Sequence, residues 1–138
     1  MLDRTAFHHL GVAVRRKESA LVFLKTLGYA SGETLLDPLQ NVRLTFCTHP
    51  SQPAIELIEP GDGAGPLDKL LRDIDTIAYH VCYEVADSKA TLKEFEAKGI
   101  RTMMVSDVKP AVLFPGCAVS FHFVIGFGLI ELVEPLTS

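Results

Sequence analysis

The sequence predicts an α+β fold of two tandem βαβββ modules, within a single domain spanning 1–138. Three observations carry this. The words IELIEP, at Ile55 to Pro60, and IELVEP, at Ile130 to Pro135, recur near the ends of the two halves. Each half opens on an apolar run that carries a histidine, His9 in HLGVAV and His80 in YHVCYEV. The spacing is also kept: His80 follows His9 by 71 positions, and Gly99 follows Gly28 by the same 71. Glu131 follows Glu56 by 75, so the second half gains four residues before its last strand. Such self-similarity marks a doubled supersecondary unit. Module one covers about 5–61, module two about 76–136, and a linker with a short helix fills 62–75.

The elements follow in order. Phe7 to Val14 reads as a strand with Leu10, Val12 and Val14 on one face and His9, Gly11 and Ala13 on the other. Lys17 to Leu27 reads as a helix, since Ala20, Leu21, Leu24 and Leu27 recur at helical spacing and Gly28 stops it. Thr34 to Leu36 and Val42 to Cys47 are strands around a turn at Asp37-Pro38, and Ala54 to Glu59 is a strand ended by Pro60. Gly61 to Pro66 is a flexible break, followed by a short helix from Leu67 to Arg72. In module two, Ile77 to Val85 is a strand with Val81, Tyr83 and Val85 opposite His80, Cys82 and Glu84. Ser88 caps a helix that runs to Lys98 and ends at Gly99. Arg101 to Val105, Ala118 to Val124 and Leu129 to Val133 complete the module.

Composition narrows the class. Hydrophobic residues make up 48% and charged residues 22% of 138, which is globular rather than disordered. A net charge of -4 without a Lys/Arg cluster argues against nucleic acid as partner. Cys47, Cys82 and Cys117 are odd in number and form no CxxC pair, which fits a reducing compartment. MLDRTAFHHL places charges and histidines where a signal peptide needs an apolar run, so a cytoplasmic location is expected. Ala111 to Ile130 lacks Asp, Glu, Lys and Arg and has the length of a membrane span. Pro115, Gly116, Ser120, His122, Gly126 and Gly128 interrupt it, so two buried strands joined at Ile125-Gly126 are expected, with no membrane contact.

The polar residues inside apolar strands carry the chemistry. By alternation Glu56 points with Ala54 and Ile58, and Glu131 with Leu129 and Val133. The helices pack on the faces bearing Leu10/Val12/Val14 and Val81/Tyr83/Val85, which turns His9 and His80 to the concave side. With first and last strands as neighbours, two imidazoles and two carboxylates converge. An isolated acid in an apolar run is costly to bury unless something pairs with it. Two His and two Glu suit one divalent ion such as Ni, Co, Mn, Fe or Zn, whose charge the carboxylates balance. Singly, each residue has a plainer reading. His9 alone is a core or surface histidine, as His8 is taken to be, and Glu56 alone is an exposed strand acid like Glu59 and Glu134. Cys82 is read as a packing residue, Glu84 as a rim acid, and His49 and His122 as non-ligands.

The segments HLGVAV at His9, IELIEP followed by GPLDKLL, YHVCYEVAD at Tyr79, KGI at Lys98 and GLIELVEP resemble the vicinal oxygen chelate superfamily. That superfamily includes glyoxalase I, methylmalonyl-CoA epimerase and the extradiol dioxygenases, and the segments resemble the epimerase/glyoxalase branch in particular. The resemblance covers nearly the whole chain. It implies an eight-stranded cleft of paired βαβββ modules, a homodimer, and a His, Glu, His, Glu ligand order met by His9, Glu56, His80 and Glu131. The bound metal keeps two cis positions for a small substrate with vicinal oxygens. The implied activity is that of an isomerase or lyase, with proton transfer next to a carbonyl through a metal-stabilised enediolate or enolate and Glu131 as the base.

Two departures bear on the substrate. Epimerases of this branch can carry an extra carboxylate base before the first ligand glutamate, but Gln40 to Ala54 holds no acid and Leu44 sits near that place. The Gly-rich loop and His-Pro pair before the last strand are replaced by LFPGCAVSFHFVIGF. A substrate more apolar than methylmalonyl-CoA is therefore expected, in a pocket walled by Phe114, Phe121, His122, Phe123 and Phe127. Two other classes share this superfamily: a non-catalytic binder of the bleomycin-resistance type and an iron-dependent dioxygenase. Such binders generally do without the four-ligand cage, and the dioxygenases use three ligands, so the fourth, Glu56, favours the isomerase or lyase.

Overall fold

A computed structural model describes residues 5–136. Nine strands and two helices are present among the described residues. In order they are β1 (Ala6–Val14), α1 (Glu18–Thr26), β2 (Ala30–Ser31), β3 (Leu35–Asp37), β4 (Val42–Thr48) and β5 (Ile55–Pro60). Then come β6 (Thr76–Glu84), α2 (Ser88–Ala97), β7 (Thr102–Pro110), β8 (Cys117–Val124) and β9 (Gly128–Pro135). The fold class is the α+β arrangement of repeated βαβββ modules that the repeats indicated. The chain divides into two compact units, His9–Tyr79 and His80–Ser138 with Met1–His8, so the divisions fall inside β1 and β6. No helix among the described residues is long and apolar enough to cross a membrane.

In the first unit β5 runs parallel to β1, pairing Leu10 with Ile55 and Val12 with Leu57, and antiparallel to β4. The strand expected at Thr34 to Leu36 is β3, and a further short strand, β2, precedes it; both are antiparallel to β4. Gly32 and Thr34 lie at the break between them. The Gly32 N–H still donates to the Phe46 carbonyl (2.8 Å), and the Thr34 and Thr45 hydroxyls share a hydrogen bond (2.7 Å). Val12 and Val14 of β1, Ile55 and Leu57 of β5 and Cys47 of β4 form one apolar cluster with Ala20, Leu21 and Leu24 of α1. The helix thus covers the face opposite His9, as alternation requires.

The second unit repeats this. β6 runs parallel to β9, with Val81 opposite Ile130 and Tyr83 opposite Leu132, and β8 is antiparallel to β9 along its length. Leu92 and Phe95 of α2 pack with Tyr83, Val85, Val124, Ile130 and Leu132. β7 runs on to Pro110, well past the Val105 end expected, and its pairing with β8 shifts register twice, between Met104 and Ser106 and between Ser106 and Lys109. The cap of α2 is Asp87 rather than Ser88: its carboxylate accepts from the Ala90 N–H (3.1 Å).

The linker corrects another expectation. Residues 66–71 form turns, not a helix, with a single helix-like bond from the Leu71 N–H to the Leu67 carbonyl (3.0 Å). Pro66 and the glycines before it leave too few residues to offset helix nucleation. Burial of Leu67 and Leu71 holds the segment instead, together with Arg15, whose guanidinium donates to the Leu71 carbonyl and pairs with Asp75 (3.2 Å). Gly61 is required here, because a Cβ at that position would run into Asn41, whose side chain donates to the Asp62 and Ala64 carbonyls.

The second acid of each repeated word has a role that the sequence reading did not give it. Glu59 accepts from the Lys17 N–H at the start of α1 (3.0 Å), and Glu134 accepts from the N–H (2.6 Å) and hydroxyl (2.9 Å) of Ser88 at the start of α2. A helix N-terminus carries unpaired N–H groups and the positive end of its dipole, so a carboxylate there is favoured. Glu59 and Glu134 are helix anchors rather than exposed strand acids. Replacing Glu134 by Ala should cost about 1.5–3 kcal/mol in urea unfolding, the range for hydrogen bonds to charged groups. The same change at exposed Glu84 should stay within about 0.5 kcal/mol; equal losses at the two positions would refute the anchoring role.

Candidate functional site

Each unit carries one buried His–Glu pair. In the first, β1 and β5 place Gly11 opposite Glu56, and the His9 Nε2 lies 3.7 Å from Glu56 Oε1. Both residues are buried. Phe46 pairs with Glu56 across β4 and β5 and sets its ring edge-on to His9, with centroids 5.5 Å apart and planes at 88°. In the second, β6 and β9 place Cys82 opposite Glu131, and His80 Nε2 lies 3.2 Å from Glu131 Oε1, again with both residues buried. Phe121 pairs with Glu131 across β8 and β9 and stands edge-on to His80, at 5.2 Å and 81°.

The duplicated object is therefore a triad of histidine, glutamate and phenylalanine. Phe121 follows Phe46 by 75 positions, the same offset as the glutamates. That signal was available in the sequence, which singled out Phe121 as a pocket wall and passed over Phe46.

Burial decides what such a pair is fit to do. A carboxylate shut away from water needs compensating charge. Imidazole nitrogen beside carboxylate oxygen is a donor set for a borderline divalent cation. Each unit presents one such set, so the residues present fit a metal ion.

The five residues assigned to a substrate pocket divide between the two faces of the second unit. Phe121 shares the face of Glu131, and so does Phe123, which pairs with Leu129. Phe114 packs there on Cys82, Val119 and Val133. His122 is opposite Ile130, on the other face, where it is buried and hydrogen-bonded to the Ser120 hydroxyl (2.8 Å). Phe127 lines a groove on that same face with Val124, Ile130 and Leu132. Strand alternation explains the split: His122 follows Phe121 by one residue and must point the opposite way.

His8, read as a bland neighbour of His9, stands edge-on to Phe114, with centroids 4.7 Å apart. One of its ring nitrogens lies within 4.8 Å of Cys82 Sγ, which brings it to the Glu131 face. Burial pushes the Cys47 thiol pKa up, which suits a packing residue under α1 rather than a reactive one.

A family model described as Glyoxalase/Bleomycin resistance protein/Dioxygenase superfamily matches residues 8–121. Among solved structures, a methylmalonyl-CoA epimerase from Mycobacterium tuberculosis is 22% identical, with a TM-score of 0.76 over 94% of this chain and 87% of that one. A hypothetical protein from Bacillus halodurans is 21% identical, with a TM-score of 0.79 over 97% and 96%. A variant of the Streptomyces coelicolor methylmalonyl-CoA epimerase, in complex with 2-nitronate-propionyl-CoA, is 21% identical, with a TM-score of 0.73 over 99% and 100%. At these identities the likeness is one of fold. The comparison with curated proteins finds no match.

The buried His122 gives the fold a pH dependence. Desolvation lowers its pKa, and the opposing pull of Asp107 is the smaller effect. The folded state then binds fewer protons at this ring than the unfolded chain, so stability rises with pH through that window. It is fully present above the ordinary histidine value of about 6.5 and is lost as pH falls below it. The urea midpoint should drop between about pH 7.5 and 5.5, and the drop should shrink in His122→Gln; an unchanged drop would assign the effect to other groups.

Proposed function

Because the chain belongs to the Glyoxalase/Bleomycin resistance protein/Dioxygenase superfamily, we propose that it is a divalent-metal-dependent isomerase or lyase of the glyoxalase/epimerase type. Its substrate is a small molecule with vicinal oxygens, and its reaction moves a proton at the carbon next to a carbonyl. One observation carries the reading: the same buried His–Glu–Phe arrangement occurs in both modules, in the same strand register. His9, Glu56, His80 and Glu131 would together hold one ion, of Ni, Co, Mn, Fe or Zn. When bound, that ion supplies the positive charge that offsets negative charge developing on the substrate oxygens.

The chain's own residues have separate tasks. Glu131 takes the proton from the carbon at one carboxylate oxygen and returns it from that oxygen, or to the neighbouring carbon. Phe114, Phe121, Val119 and Val133 keep water away from its face, and a water-poor setting keeps a carboxylate reactive. Glu56 has a holding role only. On its face β4 presents Leu44 and Phe46, so no second acid stands beside it on that strand to act as an alternative base. The same apolar walls favour a substrate less polar than methylmalonyl-CoA. The binder and dioxygenase alternatives are disfavoured by the doubled carboxylates, which a binder does not need and a three-ligand iron site does not use.

Protein purified without chelator should carry about one equivalent of divalent metal per chain, and His80→Ala should lose it. Full metal occupancy in His80→Ala would remove that residue from the ligand set. In deuterated water, screened with 2-oxoaldehyde hemithioacetals and acyl-CoA thioesters, Glu131→Gln should slow substrate C–H exchange by about a hundredfold or more. Glu56→Gln should lose less. Exchange in Glu131→Gln at the wild-type rate would place the base elsewhere, and no exchange by the wild type would favour the binding protein. Efficient epimerisation of methylmalonyl-CoA would overturn the apolar-substrate reading.

A further inference from the structure

The second unit carries another concave surface, on the face that α2 covers and away from Glu131. An apolar groove of about 280 Å³ opens there, walled by Tyr83, Phe95, Ile100, Val124 and Phe127. At Ile100 it meets a polar pocket of about 420 Å³ that presents Lys93, Glu96, Arg101 and Thr102. Together they fall within the roughly 300–1,000 Å³ of small-molecule sites. Neither part takes any residue of the two His–Glu–Phe triads.

We propose that this compound surface binds an amphiphilic carboxylate, with its apolar chain in the groove under α2 and its anionic head at Lys93 and Arg101. The apolar half is kept open at a cost in exposed surface: Phe127 is 63% and Ile100 40% exposed. Phe127 stands between Gly126 (φ +89) and Gly128 (φ +132), so a tight turn holds its ring at the groove rather than in the core. Grouped, exposed aromatic and aliphatic side chains of this kind mark ligand surfaces.

The polar half has the complementary charge. Two cations face one acid, Glu96, and among the described residues neither Lys93 nor Arg101 is engaged in an ion pair. The pocket lies at the C-terminal end of α2, whose dipole would repel an anion. That end is blunted, because the N–H groups of Lys98, Gly99 and Ile100 already occupy the Glu94, Phe95 and Glu96 carbonyls, at 2.9–3.1 Å. A guanidinium and an ammonium at the mouth of an apolar groove suit a carboxylate on an alkyl chain better than a neutral apolar molecule.

Decanoate and decanol are the probes. The full chain is titrated with each by calorimetry, and the site is mapped by amide shift changes in NMR. Decanoate should bind saturably at one site, with shifts at Ile100, Arg101 and Phe127, and decanol should bind about tenfold more weakly. The double change Lys93→Glu, Arg101→Glu and the separate change Phe127→Ser, all at exposed positions, should each weaken decanoate by about tenfold. The proposal is overturned by absence of saturable decanoate binding at millimolar concentration, by equal affinity for decanol, or by charge reversal without effect. Shifts confined to the Phe121 face would likewise overturn it. None of these outcomes bears on the metal reading, which involves other residues.

Discussion

Everything else in this protein is arranged around the burial of two carboxylates. Glu56 and Glu131 lie on the last strand of each module, shut away from water and each faced by one imidazole. An ionised carboxylate in that position is tolerated only where charge compensation is built in. Parallel pairing of first and last strands meets part of the requirement, since it brings the histidine of one strand to the glutamate of the other. Helices α1 and α2 meet another part by covering the opposite faces, so that the polar pair does not compete with the apolar core for the same side of the sheet.

The repeated word shows how economically this is encoded. In IELIEP and IELVEP the first glutamate points to the His face, while the second, three residues on, points to the helix face. Period-two alternation turns a single six-residue phrase into one buried polar pair and one helix anchor. The anchor ties the N-terminus of α1 or α2 to the strand that carries the polar pair, so placement of the helix and placement of the carboxylate are set by one strand.

Much of this was legible from spacing and alternation alone. The module order, the His and Glu positions, the helix-covered faces and the glycine stops all follow from local patterns that tertiary packing did not override. What escaped was set by contacts between distant residues or by backbone detail. The capping role of Glu59 and Glu134 requires knowing where a helix ends in space. The division of β2 from β3 depends on which side chains bridge a gap at Gly32 to Thr34. The turn at 66–71 has the apolar spacing of a helix but lacks the length. Phe46 was within reach, since its offset to Phe121 equals that of the glutamates. His122 falls on the face opposite Phe121, because adjacent residues on a strand point apart.

The irregular edge strands have a further consequence for a protein made of two modules of one design. A tandem duplication risks strand exchange, in which a segment of one copy docks where its twin belongs, during folding or between neighbouring chains. Complementary edges would make that exchange cheap. Here the corresponding strands have diverged in incompatible ways: one is cut into β2 and β3, and the other, β7, is continuous but shifts register twice. A fragment shaped to one partner strand would leave hydrogen bonds unmade on the other. Exchange between the halves would therefore cost ladder hydrogen bonds that each half makes within itself.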